Sequence, residues 1–184
     1  MRVVGGSLRG RTLVTPSSSA IRPTSDRTRE SVFNVLAHAR EGGLAGARVL
    51  DLFAGTGALG IEALSRGASA CLFVEDAAEA RGIIRDNIEA FGLTGIAKIF
   101  RRDATNLGDV GTMQPYDIVF ADPPYAKQLG EKAIVSALAG GWLSPGARIV
   151  LEESASAPFE VPQGFALADE RTYGETLIRF LDLA

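Results

Sequence analysis

The sequence has a single cysteine, a single histidine and no lysine among its first 40 residues. One cysteine, Cys71, excludes an intrachain disulfide, and its place in the apolar run Ala70-Cys71-Leu72-Phe73-Val74 reads as a buried thiol. One cysteine and one histidine do not make a zinc site of the His/Cys type, and no metal is expected. His38 falls on a predicted helix with no acid or base partner in view, so it reads as a surface or boundary residue. No window approaches the ~20 apolar residues of a membrane span, and the start MRVVGGSLRGR lacks the roughly 7–15-residue apolar core of a secretory signal. The expectation is a cytoplasmic protein with no membrane partner.

At 184 residues and 46% hydrophobic, the chain can bury one sizeable core and is too short for two ordinary domains. Its net charge of -3 conceals an asymmetry. Residues 1–40 carry seven arginines and two acids, net +5, so the remainder carries net -8. Arginine suits bidentate contact with phosphate, and Gly5, Gly6 and Gly10 among the arginines are read as letting backbone approach a ligand. Residues 1–40 are therefore expected to be a basic extension that docks on nucleic-acid backbone through Arg2, Arg9, Arg11, Arg22, Arg27 and Arg29, with residues 41–184 as one compact unit.

Residues 1–15 read as a short hairpin or arm, Ser17 to Ser19 and Arg22-Pro23 as a loop, and Ser25 or Asp26 as the cap of an amphipathic helix ending near Ala39. Beyond a glycine-rich hinge, apolar strands at 48–53, 70–75, 97–100, 117–121 and 148–152 alternate with helices at 58–66, 77–91 and 129–139. That alternation predicts an α/β fold with a mostly parallel sheet, right-handed crossovers and helices on both faces. Two further strands, 165–172 and 176–183, flank Tyr173-Gly174-Glu175 and predict a closing antiparallel hairpin.

Gly55, Gly57 and Gly60 form a GxGxxG between the first strand and its helix. The first glycine permits the tight turn, the second brings backbone against a ligand and the third lets the helix pack closely. Glu75 ends the next strand, where a carboxylate can accept two hydrogen bonds from a ribose diol. The motif alone leaves a dinucleotide and S-adenosyl-L-methionine open. Asp51, ahead of the glycines, favours the second, because a carboxylate there receives an ammonium and repels a pyrophosphate. Phe53, Thr56, Asp103 and Ala104 complete the expected cofactor set. Asp51-Leu52-Phe53-Ala54-Gly55-Thr56-Gly57 resembles the first motif of the class I methyltransferases, and that superfamily implies an acceptor for the adenine amino group at Asp103.

The fourth strand of the body runs into Asp122-Pro123-Pro124-Tyr125. Proline lacks an N–H and fixes φ, so the segment reads as a rigid bracket of acceptors at the carboxyl edge of the sheet. Such a bracket suits a planar amino group. Hydrogen bonds to the Asp122 carboxylate and the Pro123 carbonyl would favour pyramidalisation of a nitrogen whose lone pair is otherwise delocalised, and Tyr125 would stack on the base. Pyrimidine C5 methylation is disfavoured, since it needs a cysteine nucleophile and Cys71 lies mid-strand.

Arg2-Val3-Val4-Gly5-Gly6, Arg9-Gly10-Arg11, and Arg22-Pro23-Thr24-Ser25-Asp26-Arg27-Thr28-Arg29-Glu30 with Phe33-Asn34, together with DLFAGTGALGIEALSRGA and FADPPY, resemble the RsmD family of bacterial 16S ribosomal RNA guanine-N2 methyltransferases. The resemblance implies a Rossmann-like class I methyltransferase fold, S-adenosyl-L-methionine as cofactor, and the 16S RNA or small ribosomal subunit as partner of a monomeric enzyme. It further implies methylation of the exocyclic N2 of guanine 966. The arm departs from the family in lacking lysine and in carrying Ser7, Thr12 and Ser17 to Ser19 at positions often more basic. An adenine-N6 nucleic-acid methyltransferase, a protein glutamine methyltransferase, a nicotinamide oxidoreductase and a non-catalytic RNA-binding assembly factor stay open beside it.

Overall fold

The computed structural model describes residues 1–17, 24–39, 41–125 and 127–184. Arg22 and most of the serine loop lie outside the described residues. Helix α1 spans Asp26–Ala39. Ser25 is its cap: Ser25 Oγ accepts the Thr28 N–H at 3.1 Å and satisfies a donor that the first turn leaves without a partner. Val32, Phe33 and Leu36 form its buried stripe.

Seven strands follow, β1 Arg48–Leu52, β2 Ala70–Val74, β3 Ala97–Phe100, β4 Tyr116–Ala121, β5 Leu143–Ser154, β6 Phe165–Tyr173 and β7 Thr176–Leu183. They make one sheet in the order β3-β2-β1-β4-β5-β7-β6. The first five are parallel; β7 enters antiparallel between β5 and β6. Helices α2 Ala58–Ser65, α3 Ala78–Ala90 and α4 Leu129–Ala139 cross between parallel strands. Each predicted element is present. The largest boundary difference is β5, which starts at Leu143 because Leu143 pairs with Tyr116 ahead of an irregularity that restores register at Ile118 and Arg148.

Alternate residues of each strand feed opposite cores. Val49, Phe73, Ile118 and Phe120 pack with α1, α2 and α3. Leu50, Leu72, Val119 and Leu151 pack with α4 and Trp142. Burial on both faces explains why these strands lack polar alternation. Val3 and Leu13 of the arm join the first core, and the arm closes through the bridge between Arg2 and Thr12.

Two of the arm's glycines serve packing and not a ligand. A Cβ on Gly6, whose φ is +77°, would lie 1.9 Å from the Ser65 carbonyl oxygen, and one on Gly5 would meet the Arg66 guanidinium at 2.6 Å. They let the arm lie directly on the end of α2. Gly10, with nothing near it, remains at an open turn.

Candidate active site

The sheet order reverses direction between β1 and β4, and the crevice beyond the carboxyl ends of those strands is where open α/β sheets bind ligands. A cavity of about 460 Å³ opens there. Asp51 from β1, Glu75 from the end of β2 and Asp122 from the end of β4 all line it. So do Phe53, Gly55 and Thr56 of the glycine loop, and Pro123, Pro124 and Tyr125 of the bracket. Residues 71 positions apart in the chain thus share one wall-to-wall space.

Backbone amides fix the acids. Glu75 Oε1 accepts the Gly55 N–H at 2.9 Å and Glu75 Oε2 the Ala77 N–H at 3.0 Å. Each oxygen keeps a further lone pair for an incoming hydroxyl. Asp51 Oδ2 accepts the Gly60 N–H at 3.1 Å, which ties the end of β1 to the first turn of α2. Burial pushes the Asp51 carboxyl well above the usual carboxylate range, opposed by the Gly60 N–H and reinforced by the charge of Glu75.

The glycine loop is tightly specified. Phe53 has φ of +55°, a left-handed conformation uncommon for a bulky residue and typical of sites held by their surroundings. Gly60 gives the helix its close approach: a Cβ there would meet the Phe73 ring at 2.4 Å and Cys71 Sγ at 2.6 Å. Gly57 is the left-handed cap of α2, buried beneath Phe73 and Ile84, and does not line the cavity. Its freedom in φ serves the turn; contact with a ligand falls to Gly55 and Thr56.

Asp122 is half-buried at the cavity wall, and its carboxyl is also held well above the ordinary range. Desolvation is the first cause, followed by the charges of Glu152, Asp51 and Glu153. The bracket is buttressed from behind, because Gly130 in α4 brings the helix against Leu151 and Pro123, where a Cβ would meet Leu151 Cδ1 at 2.3 Å. Tyr125 sits with its hydroxyl 3.2 Å from Thr176 Oγ1.

Besides Gly57, three expected residues stand elsewhere. Asp103 is exposed and does not line the cavity; its Oδ1 accepts the N–H and hydroxyl of Thr105 in a local turn. Ala104 is buried in the second core. Arg29, expected on the RNA face, is fully buried, and this reading is corrected. Its guanidinium is held by Asp26, Glu62 and the Arg2 carbonyl, so it ties the arm and α1 to α2 and faces no solvent. Sequence reading missed this because helix phase alone does not reveal that Glu62 is a buried partner 33 residues away. Arg2, Arg9, Arg11 and Arg27 are exposed, with Arg11 lying over the Phe91 ring and donating to the Ala90 carbonyl. Thr24 and Glu152, given no role by the sequence, meet beside Asp122.

The donor set bears on the cofactor. Four carboxylates, of Asp51, Glu75, Asp76 and Asp122, line the cavity, and among the described residues no lysine or arginine side chain does. A pyrophosphate would find no cationic side chain among these, whereas a ligand carrying a sulfonium and an ammonium would find carboxyl groups that its positive charge favours in the ionised form. The residues present fit S-adenosylmethionine and disfavour a dinucleotide.

The family model described as conserved hypothetical protein 95 matches residues 1–182. Ribosomal RNA small subunit methyltransferase D of Escherichia coli (strain K12) is 38% identical over 97% of this chain and 88% of its own length. The chain belongs to the RsmD family. The solved structure of the Escherichia coli protein yhhF superposes with a TM-score of 0.85 at 33% identity, covering 100% of this chain and 97% of that one. The 16S rRNA N2 G1207 methyltransferase RsmC of Thermus thermophilus, solved with AdoMet and guanosine, shares the fold at 22% identity, with a TM-score of 0.68 over 91% of this chain and 45% of that one. The architecture of this RsmD-family chain is the Rossmann-like class I methyltransferase fold.

Proposed function

We propose that the protein transfers a methyl group from S-adenosyl-L-methionine to the exocyclic N2 of guanine 966 in 16S ribosomal RNA. The coarser activity, methylation of ribosomal RNA with S-adenosyl-L-methionine as cofactor, is that of the family to which the chain belongs. One observation supports direct transfer to a bound amino group: the glycine loop with its acids and the Asp122-to-Tyr125 bracket open into the same cavity; the choice of base and position rests on the resemblance to the RsmD family. Donor and acceptor subsites therefore share a wall, which is what direct transfer between two bound groups requires.

When bound, the cofactor supplies an electrophilic methyl on a sulfonium. Glu75 is the acceptor for ribose hydroxyls, and Asp51 the counter-charge for the amino acid portion. Asp122 and the Pro123 carbonyl receive the two hydrogens of the base amino group and aim its lone pair, while Tyr125 lies against the ring of a base taken out of its stack. Residues 1–40 act as the docking extension, with Arg2, Arg9, Arg11 and Arg27 on RNA backbone, and residues 41–184 as the catalytic unit. The site of action is the cytoplasm, and the working form is a monomer.

The test is transfer of labelled methyl to small subunits and to naked 16S RNA lacking the modification, followed by mass mapping of the product nucleoside. N2-methylguanine at one position is the expected product. Label in adenine would move the assignment to the adenine-N6 reading, and label in protein or nowhere would refute both.

A further inference from the structure

An amine that gains a methyl must lose a proton, and the structure offers a route for it. Ala121 pairs with Leu151, so Asp122, just past the end of β4, comes next to Glu152 of β5. Glu152 is only 7% exposed. Thr24, from the segment ahead of α1, reaches between the two acids. Its hydroxyl donates to Glu152 Oε2 at 2.9 Å and lies 3.5 Å from Asp122 Oδ2. The Tyr125 hydroxyl lies 3.5 Å from Glu152 Oε1, so the bracket's own ring ends on the same carboxylate.

This arrangement has a direction. A threonine hydroxyl has one hydrogen and two lone pairs. With the hydrogen given to Glu152, a lone pair is left for a proton carried by Asp122.

We infer that Thr24 and Glu152 form the proton exit from Asp122, with Glu152 taking the proton that the amino group releases. This rests on the proposed reading of Asp122 as acceptor of that amino group. As the nitrogen–methyl bond forms, the carbon–sulfur bond breaks and its electron pair stays on sulfur. The nitrogen's proton passes to the Asp122 carboxylate. Asp122 then donates to Thr24 Oγ while the Thr24 hydrogen moves to Glu152 Oε2, which restores the Asp122 carboxylate and leaves Glu152 neutral. Thr24 and Glu152 act through Asp122 and need no contact with the base.

The groups facing Asp122 set the signs for a test. Among the described residues they are Asp51 on β1, Glu152 and Glu153 on β5, and the Thr24 hydroxyl. The Glu152 charge raises the Asp122 pKa. Glu152→Gln should therefore move the acid limb of the rate profile to lower pH, while Thr24→Val, which leaves that charge in place, should slow transfer without such a move.

The experiment is single-turnover methyl transfer to small-subunit RNA across pH for wild type, Glu152→Gln, Thr24→Val and Thr24→Ser, with cofactor affinity and thermal unfolding measured in parallel. Glu152→Gln and Thr24→Val should each slow transfer at neutral pH by about tenfold or more, with cofactor affinity within about twofold and the acid limb displaced to lower pH in Glu152→Gln alone. Thr24→Ser, which keeps the hydroxyl, should recover most of the rate lost in Thr24→Val. Should Glu152→Gln fail to fold, the Thr24 pair decides alone. Rates within about twofold of wild type, or slowing of Glu152→Gln with an unmoved acid limb, would overturn the relay while leaving the Asp122 reading standing. A wild type that methylates no amino group would overturn both.

Discussion

Arg29 and Glu62 form an ion pair 3.3 Å apart in which neither side chain is exposed. Glu62 also accepts the N–H groups of Val4 and Gly5 at 2.8 and 2.9 Å and the Arg66 side chain at 2.9 Å. One carboxylate in α2 thereby anchors the arm, α1 and its own last turn. Burial lowers the Arg29 pKa, while the charges of Asp26 and Glu62 hold it up.

Glu62→Gln removes the charge that compensates a buried guanidinium and weakens the acceptor of two backbone amides. Breaking one side of a buried pair costs about 3–5 kcal/mol, an upper bound here because Asp26 still pairs with Arg29. Urea unfolding should show a loss of that order. A midpoint within error of wild type would mean that the pair does not hold the arm.

Asp122→Ala should abolish methyl transfer while leaving cofactor binding nearly intact, because Asp122 faces the acceptor side of the cavity and Asp51 and Glu75 keep their backbone partners. Removal of a group that both orients and deprotonates the nucleophile is expected to cost at least about 10²-fold. Calorimetry for the cofactor and labelled transfer in the same preparation separate the two effects, and undiminished transfer would remove Asp122 from the mechanism.

Asp122 also gives stability a pH dependence of defined sign. Its folded pKa lies well above its ordinary value of 3.8. Between those two values the folded state holds a proton that the unfolded state has released. Its contribution is therefore favourable at low pH and is lost as pH rises through the folded value. Asp122→Asn, which cannot ionise, should raise the melting temperature at pH 8 and raise it less at pH 5. A lower melting temperature at pH 8 would contradict this sign.

Gly60→Ala places a methyl group 2.4 Å from the Phe73 ring. Overpacking of this kind costs about 1–3 kcal/mol, and here the strain falls on the turn that holds Asp51. The variant should be less stable by thermal unfolding and should bind cofactor more weakly. Normal affinity in a destabilised protein would separate the packing role from the site.

The double variant Arg2→Gln with Arg9→Gln should weaken RNA binding and flatten its salt dependence. Each lost phosphate contact reduces the slope of log affinity against log salt by about 0.7–0.9. Arg29→Gln should instead lower stability. An unchanged slope in the double variant would move the RNA face away from the arm.

The strands and helices were legible because their determinants are local. Apolar runs without alternation marked strands buried on both faces, Ser25 marked a cap, and Gly174 marked the closing turn. Asp51, Glu75 and Asp122 were legible as site residues because, in a parallel sheet, a polar residue at the end of a strand emerges on the carboxyl edge whatever the details of packing.

The alternation of strands and helices, the glycine loop and the chemistry of the proline bracket are written in local sequence, since they depend on periodicity, on residues that permit positive φ and on a ring that removes an N–H. Which charges are buried is set by long-range packing. Folding the arm onto α2 turned Arg29 from an apparent RNA contact into the partner of Glu62, and brought Thr24 across 98 residues to lie within reach of Asp122. The physical reason is desolvation: the fate of an ionisable side chain depends on which groups exclude water from it, and those groups come from distant parts of the chain.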